Sequence, residues 1–281
     1  MFTRRLIAGA AAAGLALTLA ACGGGAAAPG GAAAPGGAGG ALKIGIKFDQ
    51  PGLGLREGSN YTGFDVEVAK YVAKELGHQE KDITWVESPS AQRETLIETG
   101  QVDLIFATYS ITDKRKERVS FAGPYLIAGQ GLLVRSDETA ITGPDTLDGK
   151  KLCSVTGSTP AQKIKEQYPG VQLQEFGTYS ECLPALMSKG IDAVTTDDTI
   201  LAGFAAQPQY AGKLKLVGDP FTKENYGVGL KKGDTALCEK VNAAITKMIK
   251  DGDWQKAVDK TLGPANYKPG PGNPPTPAAC S

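Results

Sequence analysis

An α/β chain built on two sheets is what this sequence predicts, and three observations predict it. Strand-like and helix-like stretches alternate along nearly the whole body. The mostly apolar run Val102 to Phe106 stops at small hydroxyl residues, Thr108 and Ser110, as a buried strand of a parallel sheet does. The strand–helix pattern then restarts near residue 130 with strand-end hydroxyls of its own, which favours two sheets over one.

The ends of the chain read differently from its body. Arg4 and Arg5 precede an apolar, small-residue stretch from Leu6 to Ala21, too short to span a bilayer comfortably. It ends Leu19-Ala20-Ala21-Cys22, which resembles a bacterial lipobox, so residues 1–21 read as a lipoprotein signal peptide. That resemblance implies a diacylated Cys22, carrying palmitate-type chains, at the mature N-terminus. Residues 23–40 are only Gly, Ala and Pro, a composition that buries no core and suits a flexible tether over 22–40. Across the 281 residues, 30 basic side chains balance 30 acidic ones, so no field argues for nucleic acid. Cys153, Cys182, Cys238 and Cys280 remain after Cys22, an even number that suggests two disulfides in an exported chain. Three pairings are open. Cys153–Cys182 with Cys238–Cys280 is favoured, because the second bond would pin a Pro/Gly-rich tail, Lys268 to Ala279, onto a helix. The cysteine spacing and the single His78 speak against zinc, and no cofactor is expected.

Taken in order, Ala41 to Phe48 reads as a strand and Asp49 to Tyr61 as Gly-rich irregular chain. Phe64, Val68, Val72 and Leu76 recur at helical spacing, with Gly77 as the stop. Ile83 to Val86 is a short strand, and Ser90 caps a helix running through Glu98. The central strand follows, then a basic run. In the second half, Gln130–Val134, Lys151–Val155, Val171–Phe176, Ile191–Thr196, Leu214–Val217 and Tyr226–Leu230 read as strands. Helices are expected after Thr159-Pro160, where Gln162 completes a capping-box pattern, over 180–188 and over 198–206. Leu237, Val241, Ile245, Met248 and Ile249 mark a long amphipathic helix, and Trp254, Val258 and Leu262 a final short one.

The candidate site centres on Ala107 to Tyr125. Ligands of open α/β sheets bind beyond the carboxyl ends of strands. Hydroxyls and backbone N–H groups there, with Arg115 able to grip bidentately, suit a carboxylate. The plainer alternative is that DKRKER is a solvated helix face.

The segments GFDVEVAKYVAKEL from Gly63, SITDKRKERVSF from Ser110, the strand-Gly-Ser-Thr of Val155 to Thr159, and IDAVTTDD from Ile191 occur in one order. They resemble family-3 extracellular solute-binding proteins of polar amino-acid ABC transporters, over roughly 41–265. The flavour is that of the actinobacterial glutamate/glutamine-binding lipoproteins. The resemblance implies a two-lobed periplasmic-binding-protein-like fold, each lobe a mainly parallel sheet flanked by helices, with two hinge strands. Lobe 1 would comprise 41–126 and 219–268, lobe 2 would comprise 127–218, and 269–281 would be a tail. It also implies an amino acid buried by lobe closure, permease subunits as partners, a monomer, and the extracytoplasmic face of the bacterial membrane as its place.

Carried over residue by residue, Arg115 pairs with the ligand α-carboxylate, aided by Ser110 and Thr108. Thr159 offers a helix-start N–H, with Ser158 assisting, although Thr159 could be a plain cap. Asp197 takes the α-ammonium, with Asp198 beside it as the alternative. Burying a zwitterion without both charge partners is costly. The pocket for the side chain is less clear. Lys47 favours glutamate or aspartate, unless it is solvated. Phe48 would pack on methylenes, and Gln50 or Tyr125 would add hydrogen bonds. Asp49 could oppose an acidic ligand, so glutamine and asparagine stay open. Two other readings compete. One is a sensor reporting to a membrane receptor or kinase. The other is an enzyme of the cyclohexadienyl dehydratase kind on the same fold, disfavoured because no nucleophile–base arrangement is legible.

Overall fold

The computed structural model describes residues 40–280. The signal peptide, Cys22 and all but the last residue of the tether lie outside the described residues.

The chain opens with β1 (Leu42–Ile46), then β2 (Asp49–Gln50), β3 (Gly54–Glu57) and β4 (Asn60–Thr62). Next come α1 (Phe64–Glu75), β5 (Ile83–Glu87), α2 (Arg93–Glu98), β6 (Leu104–Ile105), α3 (Asp113–Lys116) and β7 (Ser120–Ala128). The middle holds β8 (Gln130–Arg135), β9 (Lys151–Val155), α4 (Thr159–Gln167), β10 (Gln172–Phe176), α5 (Cys182–Met187), β11 (Ala193–Asp197), α6 (Asp198–Ala205) and β12 (Leu214–Val217). The chain returns through β13 (Glu224–Leu230), α7 (Thr235–Lys250) and α8 (Asp253–Thr261).

Two five-stranded sheets result, in the orders β5-β1-β6-β13-β7 and β10-β9-β11-β8-β12. The expectation of mainly parallel sheets needs correction. In each sheet two pairings are parallel and two antiparallel, the antiparallel ones made by β13 in the first sheet and by β8 in the second. The reason is connectivity. β13 re-enters the first sheet only after the chain has built the whole second one, so its direction is set by that excursion and not by its own residues. β7 leads directly into β8, and β12 leads back to β13, so the chain crosses between sheets twice.

Residues 49–62 also differ from expectation. They form a separate antiparallel sheet, β2-β3-β4, rather than irregular chain. Its strands are two to four residues long, below what side-chain alternation can signal. Its base is tied to α1, where Phe64 N–H donates to Gly52 O (2.9 Å) and Asp65 N–H to Leu53 O (3.0 Å). Gly63 is required there. It has φ +120°, and a Cβ would lie 2.1 Å from Leu53 O.

The helices follow the spacing read from the sequence. Phe64, Val68 and Val72 of α1 are buried, as are Val241, Ile245 and Met248 of α7 and Trp254 and Val258 of α8. The Trp254 indole N–H donates to Tyr125 O (2.7 Å), a buried bond that locks α8 onto β7.

Disulfides join Cys153 to Cys182 and Cys238 to Cys280. The second fastens the Pro/Gly tail along β7. Asn273 pairs with both the N–H and C=O of Ile127 (2.9 and 2.8 Å), and Ala278 N–H donates to Gly123 O (2.7 Å). Asn242 of α7 links both, accepting from Gly123 N–H and donating to Ala278 O. The tail thereby satisfies backbone groups of an edge strand that would otherwise be open. The Cys238–Cys280 bond closes 42 residues of sequence. Cys280→Ser is expected to lower unfolding free energy by about 2–4 kcal/mol in urea. It should also raise amide exchange at Ile127, and unchanged exchange there would show that the tail holds without its bond.

Candidate functional site

Four chain segments end at the same cleft, each at the carboxyl end of a parallel strand: those after β1, β6, β9 and β11. This is where an open α/β sheet leaves backbone donors and loops free to meet a ligand.

The end of the cleft built by the first sheet is cationic. Only one residue of the DKRKER run turns inward. Arg115 is 8% exposed, whereas Asp113, Lys114, Glu117 and Arg118 are exposed. The Thr112 hydroxyl caps α3 by accepting Arg115 N–H, which sets the turn that aims the guanidinium. That group donates from Nη1 to Ser110 O (2.7 Å) and from Nη2 to Gly157 O (2.9 Å), and its Nε lies 3.4 Å from Glu94 Oε1. Burial, then repulsion from Arg93, lowers its pKa to about 10.

Arg93, which sequence reasoning missed, is 2% exposed. It donates to the Ala107 and Thr108 carbonyls (3.0 and 3.3 Å), and its Nε has no partner. Tyr109 lies within 4.1 Å of the Arg93 guanidinium and 5.1 Å of that of Arg115, measured to the ring centre. The Tyr109 hydroxyl donates to Glu94 (2.8 Å). Lys47 is 5% exposed rather than solvated, and its Nζ donates to Ser90 Oγ (2.9 Å). Burial, followed by the charge of Arg93, pushes its pKa well below the usual lysine range. Ser90 thus serves as this lysine's partner, and α2 begins later than expected, at Arg93.

Asp65 answers part of this charge. In the sequence it stands as one residue of a helix pattern, yet it is fully buried and accepts Thr108 N–H (2.9 Å) and the Tyr125 hydroxyl (2.7 Å). Burial raises its pKa to about 6 despite those donors. Tyr125 therefore does not offer its hydroxyl to the cleft. Its ring packs among Phe64, Phe106 and Tyr226, and its role is to hold Asp65. Thr108 has φ +45°, a costly backbone for a β-branched residue. The Asp65 bond fixes it there, with the Thr108 hydroxyl against Ala107 O (2.8 Å) and Gln50 Oε1 (3.3 Å). Gln50 Nε2 is buried without a partner. Phe48 is half-buried, stacks on Tyr61 (5.4 Å) and lines a small cavity with Lys47, Gln50 and Tyr179.

The opposite end is anionic. Asp197 is 3% exposed, at the end of β11. Its Oδ2 accepts the Tyr226 hydroxyl, while Oδ1 is buried without a partner. Burial first, then Glu224, raises its pKa well above the carboxylate range. Asp198 is otherwise engaged. Its Oδ1 accepts the N–H groups of Thr199 (2.9 Å) and Gly129 (3.2 Å), and its Oδ2 the Tyr267 hydroxyl (3.1 Å). Glu224 and Tyr226, also missed, come from β13 and reach the site only because that strand crosses back.

The helix start at α4 corrects one reading. Ser158, not Thr159, is the N-cap, accepting Ala161 N–H (3.1 Å). Thr159 is the first helical residue, and its hydroxyl bridges Glu224 Oε2 (2.9 Å) and Ser110 Oγ (3.2 Å). Ser110, Thr159 and Glu224 thus connect the cationic end to the anionic one. An arrangement with buried guanidinium and ammonium groups at one end and a buried, incompletely paired carboxylate at the other is complementary to a small zwitterion.

Comparison with known proteins shows the family of the chain and its fold. The model of the bacterial extracellular solute-binding proteins, family 3, matches residues 42–264. The chain is 48% identical over 274 residues to the glutamate-binding protein GluB of Corynebacterium efficiens, covering 94% of this chain and 92% of that one. It is 37% identical over 223 residues to the ABC transporter glutamine-binding protein GlnH of Bacillus subtilis, covering 79% and 81%. A solved ancestral arginine-binding protein bound to arginine has a TM-score of 0.73 and 32% identity, over 78% of this chain and 97% of that one. With its paired sheets and their shared cleft, the chain belongs to the bacterial extracellular solute-binding proteins of family 3.

Proposed function

We propose that this chain is a non-catalytic receptor, lipid-anchored through Cys22 outside the cytoplasm, that captures an acidic amino acid and delivers it to an ABC importer. Glutamate is the favoured ligand. The observation that carries this reading is the cluster of three buried cationic side chains, Lys47, Arg93 and Arg115, at one end of the cleft. A neutral side chain would leave part of that charge uncompensated, whereas a second carboxylate would pair with it. The extracellular family and the glutamate-binding relative point the same way. His78 lies beyond α1, beside α7 and α8, and so is no candidate acid or base for the cleft.

In this reading Arg115 holds the α-carboxylate with Ser110, Thr108 and the α4 start at Ser158 and Thr159. Asp197 holds the α-ammonium with Glu224 beside it. Lys47 and Arg93 face the side-chain carboxylate, with Gln50 and Phe48 along its methylenes.

Arg115→Ala should raise the calorimetric Kd for L-glutamate at least about thirtyfold with the circular dichroism spectrum retained. A near-native Kd would remove Arg115 from the site. Lys47→Met should weaken glutamate about tenfold or more while changing glutamine little, and equal losses would argue against acidic specificity.

Binding should also depend on pH. Asp197 is protonated more readily than a free carboxyl, and an ammonium ligand favours its ionised form. At Asp197 binding then releases a proton, so this group's contribution to affinity rises with pH through its pKa in the free protein and is lost below it. Calorimetry of Lys47→Met in buffers of different ionisation enthalpy measures that proton without the uptake expected at Lys47 beside a ligand carboxylate, and net uptake in that variant would contradict the Asp197 assignment.

A further inference from the structure

The small sheet of residues 49–62 belongs to the first lobe but does not pack only there. The turn after β2 places the Pro51 carbonyl against Gly203 of α6, a helix of the second lobe. A Cβ built on Gly203 would lie 2.1 Å from Pro51 O and 3.8 Å from Pro51 Cβ. On the same side of the cleft, Asp49 Oδ2 accepts Ser180 N–H at 3.2 Å, at the approach to α5. These are contacts between lobes, and Gly203 has no part in the charged site.

Neither face can yield. Pro51 sits between Gln50, whose carbonyl accepts Leu53 N–H (3.1 Å), and Gly52, whose carbonyl accepts Phe64 N–H. Leu53 is fully buried. Gly203 lies inside a helix whose residues from Thr199 to Phe204 are all buried. Its helical backbone does not itself call for glycine, and glycine is a poor helix former. The lack of a side chain is therefore explained by the approach of Pro51 and not by the helix. Gly157 makes a comparable approach, 2.7 Å from Ala91 Cα. It also has φ +79° and supplies a carbonyl to Arg115, so it separates the effects less cleanly.

We propose that ligand affinity is set in part by a seam between the 49–62 sheet and α6, with Gly203 as a positioning residue that permits the lobes to meet. The inference rests on the solute-capture reading and adds a determinant that touches no ligand. A side chain at 203 leaves each lobe folded but holds the lobes apart, so the competent closed population falls and the apparent Kd rises in proportion.

The test is Gly203→Ala, with Gly203→Val as a larger step, titrated with L-glutamate beside the wild type and followed by small-angle scattering. Gly203→Ala should melt at or above the wild-type temperature. It should bind about tenfold or more weakly and retain a larger radius of gyration than the wild type at equal glutamate. Gly203→Val should bind more weakly still. Wild-type affinity and contraction in Gly203→Ala would overturn the seam while leaving solute capture intact. A wild type that neither binds nor contracts with any of the twenty amino acids would count against solute capture instead. A fall in melting temperature matching the loss of affinity would assign Gly203 to the stability of α6 and also overturn the seam.

Discussion

Charge taken out of water must be answered by charge, and this requirement shapes the cleft. Lys47, Arg93 and Arg115 are nearly or wholly removed from solvent on one side, and Asp197 and Glu224 on the other. Each group pays a desolvation penalty, visible in the lowered pKa values of Lys47 and Arg115 and the raised one of Asp197. Local partners offset only part of it. Arg93 Nε, Gln50 Nε2 and Asp197 Oδ1 are buried without partners, and a ligand in the cleft would supply them.

That electrostatic arrangement is inseparable from the two-lobed architecture. Arg115 is anchored in the first lobe through Ser110 O and reaches Gly157 O of the second. Thr159 at the start of α4 reaches Glu224 and Ser110 in the reverse direction. Some of the groups suited to hold a ligand thus also join the lobes, so capture and closure share part of one set of bonds. Tyr267 adds a bond beyond the site, joining the segment after α8 to Asp198, which in turn accepts Gly129 N–H at the crossing point.

Supporting residues hold the site in a shape it would not adopt alone. Thr108 keeps an unfavourable backbone because Asp65 accepts its N–H, and Asp65 is held in turn by Tyr125, itself locked by Trp254. The chain of bonds runs from a surface helix, α8, to the strand end where the ligand carboxylate would sit. Rigid support of this kind limits the entropy lost on binding.

Local pattern alone determined a good deal. The amphipathic spacing in α1 and α7 and a candidate arginine after a hydroxyl strand end are properties of short segments, and the sequence carries them, whereas Asp197 comes from the family resemblance, with Asp198 left open. Tertiary structure decided what depends on segments far apart. Arg93 and Asp65 look like ordinary helix residues until β1 and β6 bring them beside Lys47 and Thr108. Glu224 and Tyr226 enter the cleft only because β13 returns from the other lobe. The antiparallel sense of that strand, the engagement of Asp198 by Gly129 and Tyr267 and the approach of Pro51 to Gly203 follow from long-range contacts. No local periodicity encodes such approach, because the contacts are made between residues whose separation along the chain bears no relation to their distance in space.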